Sequence, residues 1–264
     1  MPSAIYVGCA GWSLPKAEQD AFPVEGAHLQ RYAARFPAVE INSSFYRPHR
    51  PTTYARWAAS VPEGFRFAVK APKAITHQRR LVGAEDLLEE FLAQISALGE
   101  KLGCVLVQLP PSLAFDRSTV ETFMEGFRAR HTGAVVLEPR HDSWFTASVG
   151  ALLEEHQVGR VAADPARVPA AGEPGGWPGT VYFRLHGSPR VYYSAYDTAC
   201  LHSLATQLHA VAEGADNVWC IFDNTALGAA TANSLELLAF LRELRSNPAG
   251  GFHSRAETHP PGTG

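Results

Sequence analysis

Eight short apolar segments, separated by longer stretches with helical patterns, constrain the fold of this chain more than any other feature. Most of the segments are continuously apolar, which is typical of parallel strands that are covered on both faces. Parallel neighbours need a crossover connection, and the stretches between the segments are long enough to supply one. We predict strands at residues 4–10, 38–41, 65–70, 104–109, 134–138, 158–164, 180–186 and 218–223.

The stretches between these segments carry helical periodicity. Residues 84–103 show it most clearly, and residues 118–130 begin with a Ser-x-x-Glu capping box from Ser118 to Glu121. Further helices are predicted at residues 28–36, 51–60, 148–157, 200–214 and 231–246. Eight parallel strands are the number that closes into a barrel, so we predict an α/β fold: a single (β/α)8 TIM barrel with outer helices. An open, doubly wound sheet is the alternative.

Length and composition agree with one domain of this kind. A chain of 264 residues is normal for a single α/β barrel, and 46% hydrophobic residues supply a substantial core. Charged residues make up 19%, which is too few for a largely disordered chain. We assign residues 1–246 to the barrel domain, and residues 247–264, rich in Gly, Pro and Thr, to a disordered C-terminal tail.

Cysteine usage and hydropathy predict a cytoplasmic protein. The four cysteines form no Cys-x-x-Cys pair and three lie in apolar runs, so we expect buried, reduced thiols at Cys9, Cys104, Cys200 and Cys220. The N-terminus does not resemble a signal peptide, and no apolar run is long enough to span a bilayer, so no membrane partner is expected. A net charge of −3 argues against binding polyanions by overall attraction and leaves room for a local basic patch.

Polar side chains stand at the carboxyl ends of the second to eighth predicted strands. The segment "AVVLEPRHDSW", residues 134–144, shows this most clearly, because an apolar strand runs directly into Glu138 and Arg140. Carboxyl ends of barrel strands meet at one mouth, and burying ionisable groups is costly unless they are paired or functional. We therefore predict a shared polar pocket, with catalytic residues Glu40, Lys70, Glu138, His186 and Asp223.

The loops that follow the strands interleave cations with aromatic residues. This pattern suits a flat, anionic ligand such as a nucleotide or a single strand of nucleic acid, and aromatic rings also stack on sugars. The expected partner is thus an anionic small molecule or a nucleic-acid fragment, and the sequence sets no oligomeric state. We predict substrate contacts from Trp12, Asn42, Tyr46, His77, Gln108, Arg140, Trp144, Arg184, Tyr193 and Asn224.

The residue types in this pocket allow several kinds of chemistry. Glu138 and His186 are candidates for proton transfer, and Arg140 and Arg184 for holding the anion together with Lys70. Lys70 is alternatively a Schiff-base nucleophile, or a lysine paired with a nearby carboxylate. A divalent metal is a further alternative, with ligands Glu40, Glu138, Asp164, His186 and Asp223, but nothing in their spacing requires one and the nearby Arg and Lys would repel a cation. We predict no metal and no cofactor. The sequence lacks G-x-G-x-x-G, P-loop and H-E-x-x-H motifs, which argues against nicotinamide, ATP and zinc-protease sites, and it also lacks the G-x-S-x-G motif of serine hydrolases.

The motifs also resemble those of a known family, the YecE-like proteins or domain of unknown function 72. The segments that carry the resemblance are "VGCAGWS", "RYAARFPAVEINSSFYRP", "FRFAVKAPKAITH", "LGCVLVQLPPS", "LEPRHDSW", "YFRLHG" and "FDNTALGAATANSLEL". The resemblance implies a TIM barrel and supports the importance of Glu40, Asn42, Lys70, His77, Gln108, Glu138, Arg140, His141, Arg184 and His186. Two features depart from the family pattern: Asp223-Asn224 stands where Asn-Asn is usual, and the first loop lacks a Trp before Phe22-Pro23.

These arguments lead to one functional prediction and two alternatives. We predict an enzyme that performs acid–base or hydrolytic chemistry on a phosphorylated or nucleotide-like substrate at the carboxyl-end mouth of the strands. A Schiff-base lyase that uses Lys70 is the first alternative. A non-catalytic binding protein for single-stranded nucleic acid is the second.

Overall fold

The computed structural model of the protein describes residues 3–246, and the tail predicted from residue 247 onward lies outside the described residues. Strands and helices alternate along this range, as the sequence predicts. The strands are β1 (Ala4–Cys9), β2 (Ala38–Ile41), β3 (Arg66–Lys70), β4 (Leu102–Gln108), β5 (Val135–Glu138), β6 (Val158–Arg160), β7 (Ala162–Asp164), β8 (Gly175–Gly176), β9 (Thr180–Leu185) and β10 (Asn217–Phe222).

Seven α-helices form within the described range. They are α1 (His28–Ala33), α2 (Pro51–Ala59), α3 (Glu85–Ile95), α4 (Arg117–Arg128), α5 (Ala147–Glu155), α6 (Thr198–Val211) and α7 (Ala229–Ser246). The capping box predicted from Ser118 to Glu121 is wrong, because α4 begins two residues earlier and the carboxylate of Asp116 accepts the N–H of Thr119. Across residues 3–246, none of the helices combines the length and the apolar character needed to span a bilayer.

The strands form two sheets, so the predicted closed barrel of eight parallel strands is wrong. One sheet has four parallel strands in the order β1-β10-β9-β7. The other has six strands in the order β2-β3-β4-β5-β6-β8, and β8 runs antiparallel to β6. The strands do not form the single open sheet of the alternative either. Two local features explain where the ladder is interrupted.

The first interruption lies between β1 and β2, where a tyrosine side chain replaces backbone pairing. The hydroxyl of Tyr32 accepts the backbone N–H of Cys9 at 2.8 Å and donates to the backbone carbonyl of Ala38 at 3.0 Å. Beyond this side chain the two edges make one isolated parallel bridge, between Ala10 and Glu40. Tyr32 thus satisfies two backbone groups that a continuous ladder would otherwise pair with each other.

The second interruption splits the predicted sixth strand. Residues 158–164 form two short strands that meet at Val161, and these strands belong to different sheets. β6 continues the ladder of β5, whereas β7 pairs with β9. The apolar run itself contains no turn residue at Val161, so the sequence pattern does not reveal that the chain changes sheets there.

The buried apolar residues occupy two regions. The larger region lies between the strands and the helices that cover them, and it includes Tyr32, Phe36, Phe67 and Trp144. The smaller one, the inner cluster, comprises Ala38, Ala68, Cys104, Leu106, Val136, Val161, Tyr182, Trp219 and Ile221. Three of the four cysteines are buried free thiols, as predicted, but Cys200 is exposed.

Candidate functional site

The inner cluster positions the polar side chains of the candidate site. Alternate residues of a strand point to the same face, so a residue two positions after an inner-cluster residue lies directly above it. Six strands repeat this arrangement: in each, an ionisable or amide side chain lies two positions after a residue of the inner cluster. The pairs are Ala38 and Glu40, Ala68 and Lys70, Leu106 and Gln108, Val136 and Glu138, Tyr182 and Arg184, and Ile221 and Asp223.

Arg184 lies at the centre of the ionised groups and is completely buried. Its Nη2 and Nε donate to the two carboxylate oxygens of Glu40 at 2.8 and 3.1 Å. Its Nη1 lies 3.3 Å from Glu138 Oε2, and Nη2 lies 3.0 Å from Asp223 Oδ2. Three carboxylates from three different strands therefore converge on one guanidinium. Burying a charge is costly unless it is paired, and here each carboxylate faces the buried guanidinium.

His186 and Arg140 complete this set. The ring of His186 lies between two carboxylates, with Nδ1 3.1 Å from Asp223 Oδ2 and Nε2 2.9 Å from Glu138 Oε1. Arg140 donates from Nε and Nη2 to the same Glu138 oxygen at 3.2 and 2.9 Å. We call these residues the carboxylate–arginine cluster: Glu40, Glu138, Arg140, Arg184, His186 and Asp223.

Three buried groups of the cluster, Glu138, Asp223 and Arg184, have pKa values that their partners shift toward the ionised form. Burial alone would raise the pKa of Glu138, but Arg184, His186 and Arg140 hold it well below its usual value. Burial would likewise raise the pKa of Asp223, which Arg184 and His186 bring below its usual value. Burial alone would lower the pKa of Arg184, which the three carboxylates hold well above its usual value.

These contacts correct two of the predicted roles. Glu138 stays ionised at neutral pH, so it cannot donate a proton there as a general acid would. Arg184 has no exposed surface, and its guanidinium is committed to carboxylates, so it supports the cluster instead of contacting an anionic ligand. Arg140 differs from Arg184 because 19% of its side chain remains exposed. Part of its guanidinium is therefore accessible at the carboxyl ends of the strands, which we continue to call the mouth.

Lys70 lies beside the cluster and is not paired with it. Its side chain is only 6% exposed, and within residues 3–246 its Nζ forms no ion pair or hydrogen bond. The ammonium instead lies 4.2 Å from the centre of the Phe45 ring. Burial and the nearby Arg184 lower the pKa of Lys70 to about 8, although Glu40, Glu138 and Asp223 oppose the shift. The expected pairing of this lysine with Glu40 or Glu138 is therefore wrong.

Two further predicted residues lie at or near this mouth. His77 is half-buried against Phe45, with ring centres 5.0 Å apart. Burial lowers the pKa of His77, and the charges of Lys70 and Arg140 lower it further, which places both cations near its ring. The amide oxygen of Asn42, directly after β2, is buried without a hydrogen-bond partner among the described residues. An unpaired buried acceptor of this kind suits a ligand that supplies a donor.

Trp144 does not belong to the site, contrary to the prediction. Its side chain is completely buried in the layer between strands and helices. Its indole N–H donates to the carbonyl of Leu113 at 2.8 Å, and its ring packs edge-on against Phe115. A side chain with no exposed surface cannot contact a substrate. Trp144 therefore anchors the loop after β4 to the loop after β5.

The other predicted binding residues lie around the mouth without joining the cluster. Gln108 is buried at the end of β4, and Tyr46 is 67% exposed. Trp12 packs against Trp57 with ring centres 5.0 Å apart. Tyr193 lies under the guanidinium of Arg190 at 3.9 Å. Asn224 faces away from the cluster, because its amide donates to the Ser194 carbonyl and to Asn233 Oδ1.

Sequence reasoning missed residues that contribute to the site. Tyr182 is completely buried and donates its hydroxyl to Glu40 Oε2 at 2.8 Å. It precedes Arg184 by two positions in β9, so the alternation that relates Arg184 to His186 also predicts Tyr182 on the same face. Tyr192 packs edge-on against His186, with ring centres 6.0 Å apart. No strand alternation identifies Tyr192 or Phe45, because Tyr192 lies in the loop after β9 and Phe45 ends a short 3-10 helix, Ser43–Phe45.

A cavity of about 360 Å³ opens beside the cluster. Glu138, Arg140 and His186 form its inner wall, and the loops after β7 and β9 form its outer wall. Within residues 3–246, no group of three or more His, Cys, Asp or Glu side chains is arranged to hold a metal ion. The carboxylates of the cluster face arginine and histidine nitrogens instead.

Comparison with known proteins places the chain in a family. The model of the family described as "Protein of unknown function DUF72" matches residues 6–257. The UPF0759 protein YecE of Escherichia coli K12 is 30% identical over 173 residues, which cover 63% of this chain and 61% of that protein. The UPF0759 protein YunF of Bacillus subtilis strain 168 is 24% identical, over 90% of this chain and 94% of that protein. The chain thus spans less than two thirds of the YecE protein that it matches.

Solved structures show the same fold. A DUF72 family protein of Enterococcus faecalis V583 superposes with a TM-score of 0.77 at 23% identity, covering 90% of this chain and 96% of that one. A DUF72 family protein of Thermotoga maritima MSB8 superposes with a TM-score of 0.74 at 25% identity, covering 90% and 99%. The family resemblance seen in the motifs is confirmed: the chain belongs to the DUF72 family, which includes the YecE and YunF proteins.

Proposed function

We propose that the protein is an enzyme that performs acid–base or hydrolytic chemistry on an anionic small molecule at this mouth. Lys70 transfers the proton, and Arg140 holds the anion. The observation that carries the proposal is the buried, unpaired ammonium of Lys70 beside carboxylates that are already neutralised by arginine. A general acid or base works best when its pKa lies near the working pH, and the pKa of Lys70 is about 8.

The surrounding groups support a division of roles. Arg184 holds Glu40, Glu138 and Asp223, so these carboxylates do not compete for the proton of Lys70. Glu138 anchors the guanidinium of Arg140 through Nε and Nη2, and the group remains partly exposed, which leaves Nη1 to donate to a carboxylate or phosphate. His186 lies behind Arg140, with Nε2 3.2 Å from Arg140 Nη2, and orients it.

The proposal is tested with a panel of phosphomonoesters, sugar phosphates, nucleoside monophosphates and small carboxylates or their esters. Turnover by the wild type should rise as pH increases through about 8, because the neutral amine of Lys70 is the base. Lys70→Met should abolish turnover. Lys73→Met is the matched control, since Lys73 is an exposed lysine three residues away. Equal turnover by the two variants would exclude Lys70 from the chemistry.

The same lysine supports a second candidate, a Schiff-base lyase. An amine that is buried, unpaired and about half neutral near pH 8 attacks a carbonyl carbon, and the resulting imine forms with loss of one water. Borohydride would reduce this imine to a stable secondary amine. Mass spectrometry of borohydride-treated wild type with carbonyl-bearing members of the panel should then locate the adduct on Lys70. The absence of an adduct during turnover would leave acid–base chemistry.

The single-stranded nucleic-acid alternative predicts a different response. Its support is the exposed cation–aromatic stack of Arg190 on Tyr193 and the exposed ring of Tyr46. Oligonucleotide binding without turnover, with an affinity that falls steeply as salt rises, would favour this alternative over the proposed enzyme.

A further inference from the structure

The cavity beside the cluster has two walls of different chemistry, and this difference identifies the kind of ligand that it accepts. Its volume of about 360 Å³ corresponds to roughly a dozen water molecules, at about 30 Å³ each. This is near the lower end of the range for small-molecule pockets. A single compact ligand fills it, whereas an oligonucleotide does not.

Two arginines line the cavity from different loops. Arg140 comes from the segment after β5 and is anchored by Glu138. Arg167 comes from the loop after β7, is exposed, and forms no ion pair or hydrogen bond within residues 3–246. The carboxylate that also lines the cavity, Glu138, is fully engaged by Arg140, Arg184 and His186. A free guanidinium and an anchored one that line the same cavity suit an anionic group bound by both.

The rest of the lining is apolar. Pro165, Ala166 and Ala171 come from the segment after β7, and Val191 and Tyr192 come from the loop after β9. Val191 and Tyr192 are 39% and 42% exposed, so their apolar surface is available to a ligand. The edge of the Tyr192 ring contacts His186, which holds the aromatic surface next to the cluster.

We infer that the cavity binds a compact organic anion. Its phosphate or carboxylate lies between Arg140 and Arg167, and its apolar or aromatic body packs against Val191 and Tyr192. This inference rests on the proposed function, because Arg140, which lines this cavity, is the residue proposed there to hold the anion. It narrows that class from anions in general to small molecules that carry one anionic group and one apolar group.

The test measures binding by calorimetry with three probes: phenyl phosphate, benzoate and inorganic phosphate. Wild-type protein should bind phenyl phosphate or benzoate more tightly than inorganic phosphate, because only the first two fill the apolar part of the cavity. The ranking of phenyl phosphate and benzoate tells which anionic group the arginines prefer. Arg167→Ala should weaken the tighter probe roughly ten- to a hundredfold, the range expected for losing a charge-assisted hydrogen bond.

Arg190→Ala is the matched control, since it also removes an exposed arginine from a neighbouring loop. The guanidinium of Arg190 stacks on Tyr193, and neither residue lines the cavity. This variant should keep the wild-type affinity within about twofold. Equal weakening by Arg167→Ala and Arg190→Ala would show general charge attraction and overturn the inference. So would tighter binding of inorganic phosphate, or no binding of any probe at millimolar concentration. None of these measurements needs turnover, so the chemistry proposed for Lys70 fails or succeeds independently.

Discussion

Replacing Lys70 by methionine should make the protein more stable at neutral pH. The ammonium is buried on an apolar floor, formed by the inner-cluster residue Ala68 and its neighbours, and it has no hydrogen-bonded counter-charge within residues 3–246. Methionine has a similar length, keeps the packing against Phe45 and needs no counter-charge. Lys70, the residue proposed to do the chemistry, therefore lowers the stability of the fold, as functional residues often do.

The magnitude follows from the pKa of the lysine. A fall from the ordinary value of 10.5 to about 8 means that burying the charged form costs about 3 kcal/mol. Between these two values the unfolded chain binds more protons than the folded one, so the stability of the wild type rises with pH in that window. The advantage of Lys70→Met should thus be about 3 kcal/mol at pH 7 and should shrink to about 1.5 kcal/mol at pH 9.5.

Urea unfolding of wild type and variant at both pH values measures this difference directly. Lys73→Met, which removes an exposed lysine, should change the free energy of unfolding by less than about 0.5 kcal/mol at either pH. The reasoning is refuted if Lys70→Met is destabilised at pH 7, because the ammonium must then be stabilised by the neighbouring carboxylates. It is also refuted if the difference does not shrink at the higher pH.

Two further substitutions test two separate features: the position of Tyr32 between β1 and β2, and the ion pairs of the carboxylate–arginine cluster. Tyr32→Phe should lower the free energy of unfolding in urea by about 1–3 kcal/mol, because the Cys9 N–H and the Ala38 carbonyl lose the hydroxyl that pairs with both. An unchanged unfolding midpoint would mean that the two groups find other partners. Glu138→Gln should cost about 3 kcal/mol or more at pH 7, since Arg184 loses a buried counter-charge. The pKa of Glu138 is lowered in the fold, so its contribution to the free energy of unfolding is complete above the ordinary pKa of 4.5 and is lost at lower pH. A destabilisation by Glu138→Gln that stays the same in acid would contradict this account.

The order of strands and helices was predictable because the signals that set it are local. Each predicted strand from the first to the eighth has a counterpart within a few residues, and each predicted helix has one as well. The predicted barrel failed because closure depends on contacts between distant segments. Tyr32 belongs to a helix and occupies a position between β1 and β2 that no periodicity identifies. Val161 is one residue in an apolar run, and the sequence does not show that the chain changes sheets there.

The polar positions of the site were predictable, but their partners were not. Alternation along parallel strands places Glu40, Glu138, Arg184 and Asp223 on a common face, and the structure brings them within hydrogen-bond distance. Which cation pairs with which carboxylate depends on distances across the space between the sheets. The sequence therefore left Lys70 and Arg184 as equivalent anion-binding cations. Both are buried in the structure, but Arg184 is the counter-ion of the carboxylates and Lys70 is unpaired.

The pairing of Arg184 is the physical reason why Lys70 is available for chemistry. A guanidinium presents five donors in a fixed fork, so one arginine satisfies carboxylates from three strands at once, which a lysine does not do. With Glu40, Glu138 and Asp223 thus neutralised, their attraction for the ammonium is too weak to offset its burial, and the positive charge of Arg184 lowers the pKa of Lys70 further. An uncharged residue in place of Arg184 would release these carboxylates to pair with Lys70, and the same residues would then form an inert salt bridge. The chemistry that we propose depends on this competition between two cations for one set of carboxylates.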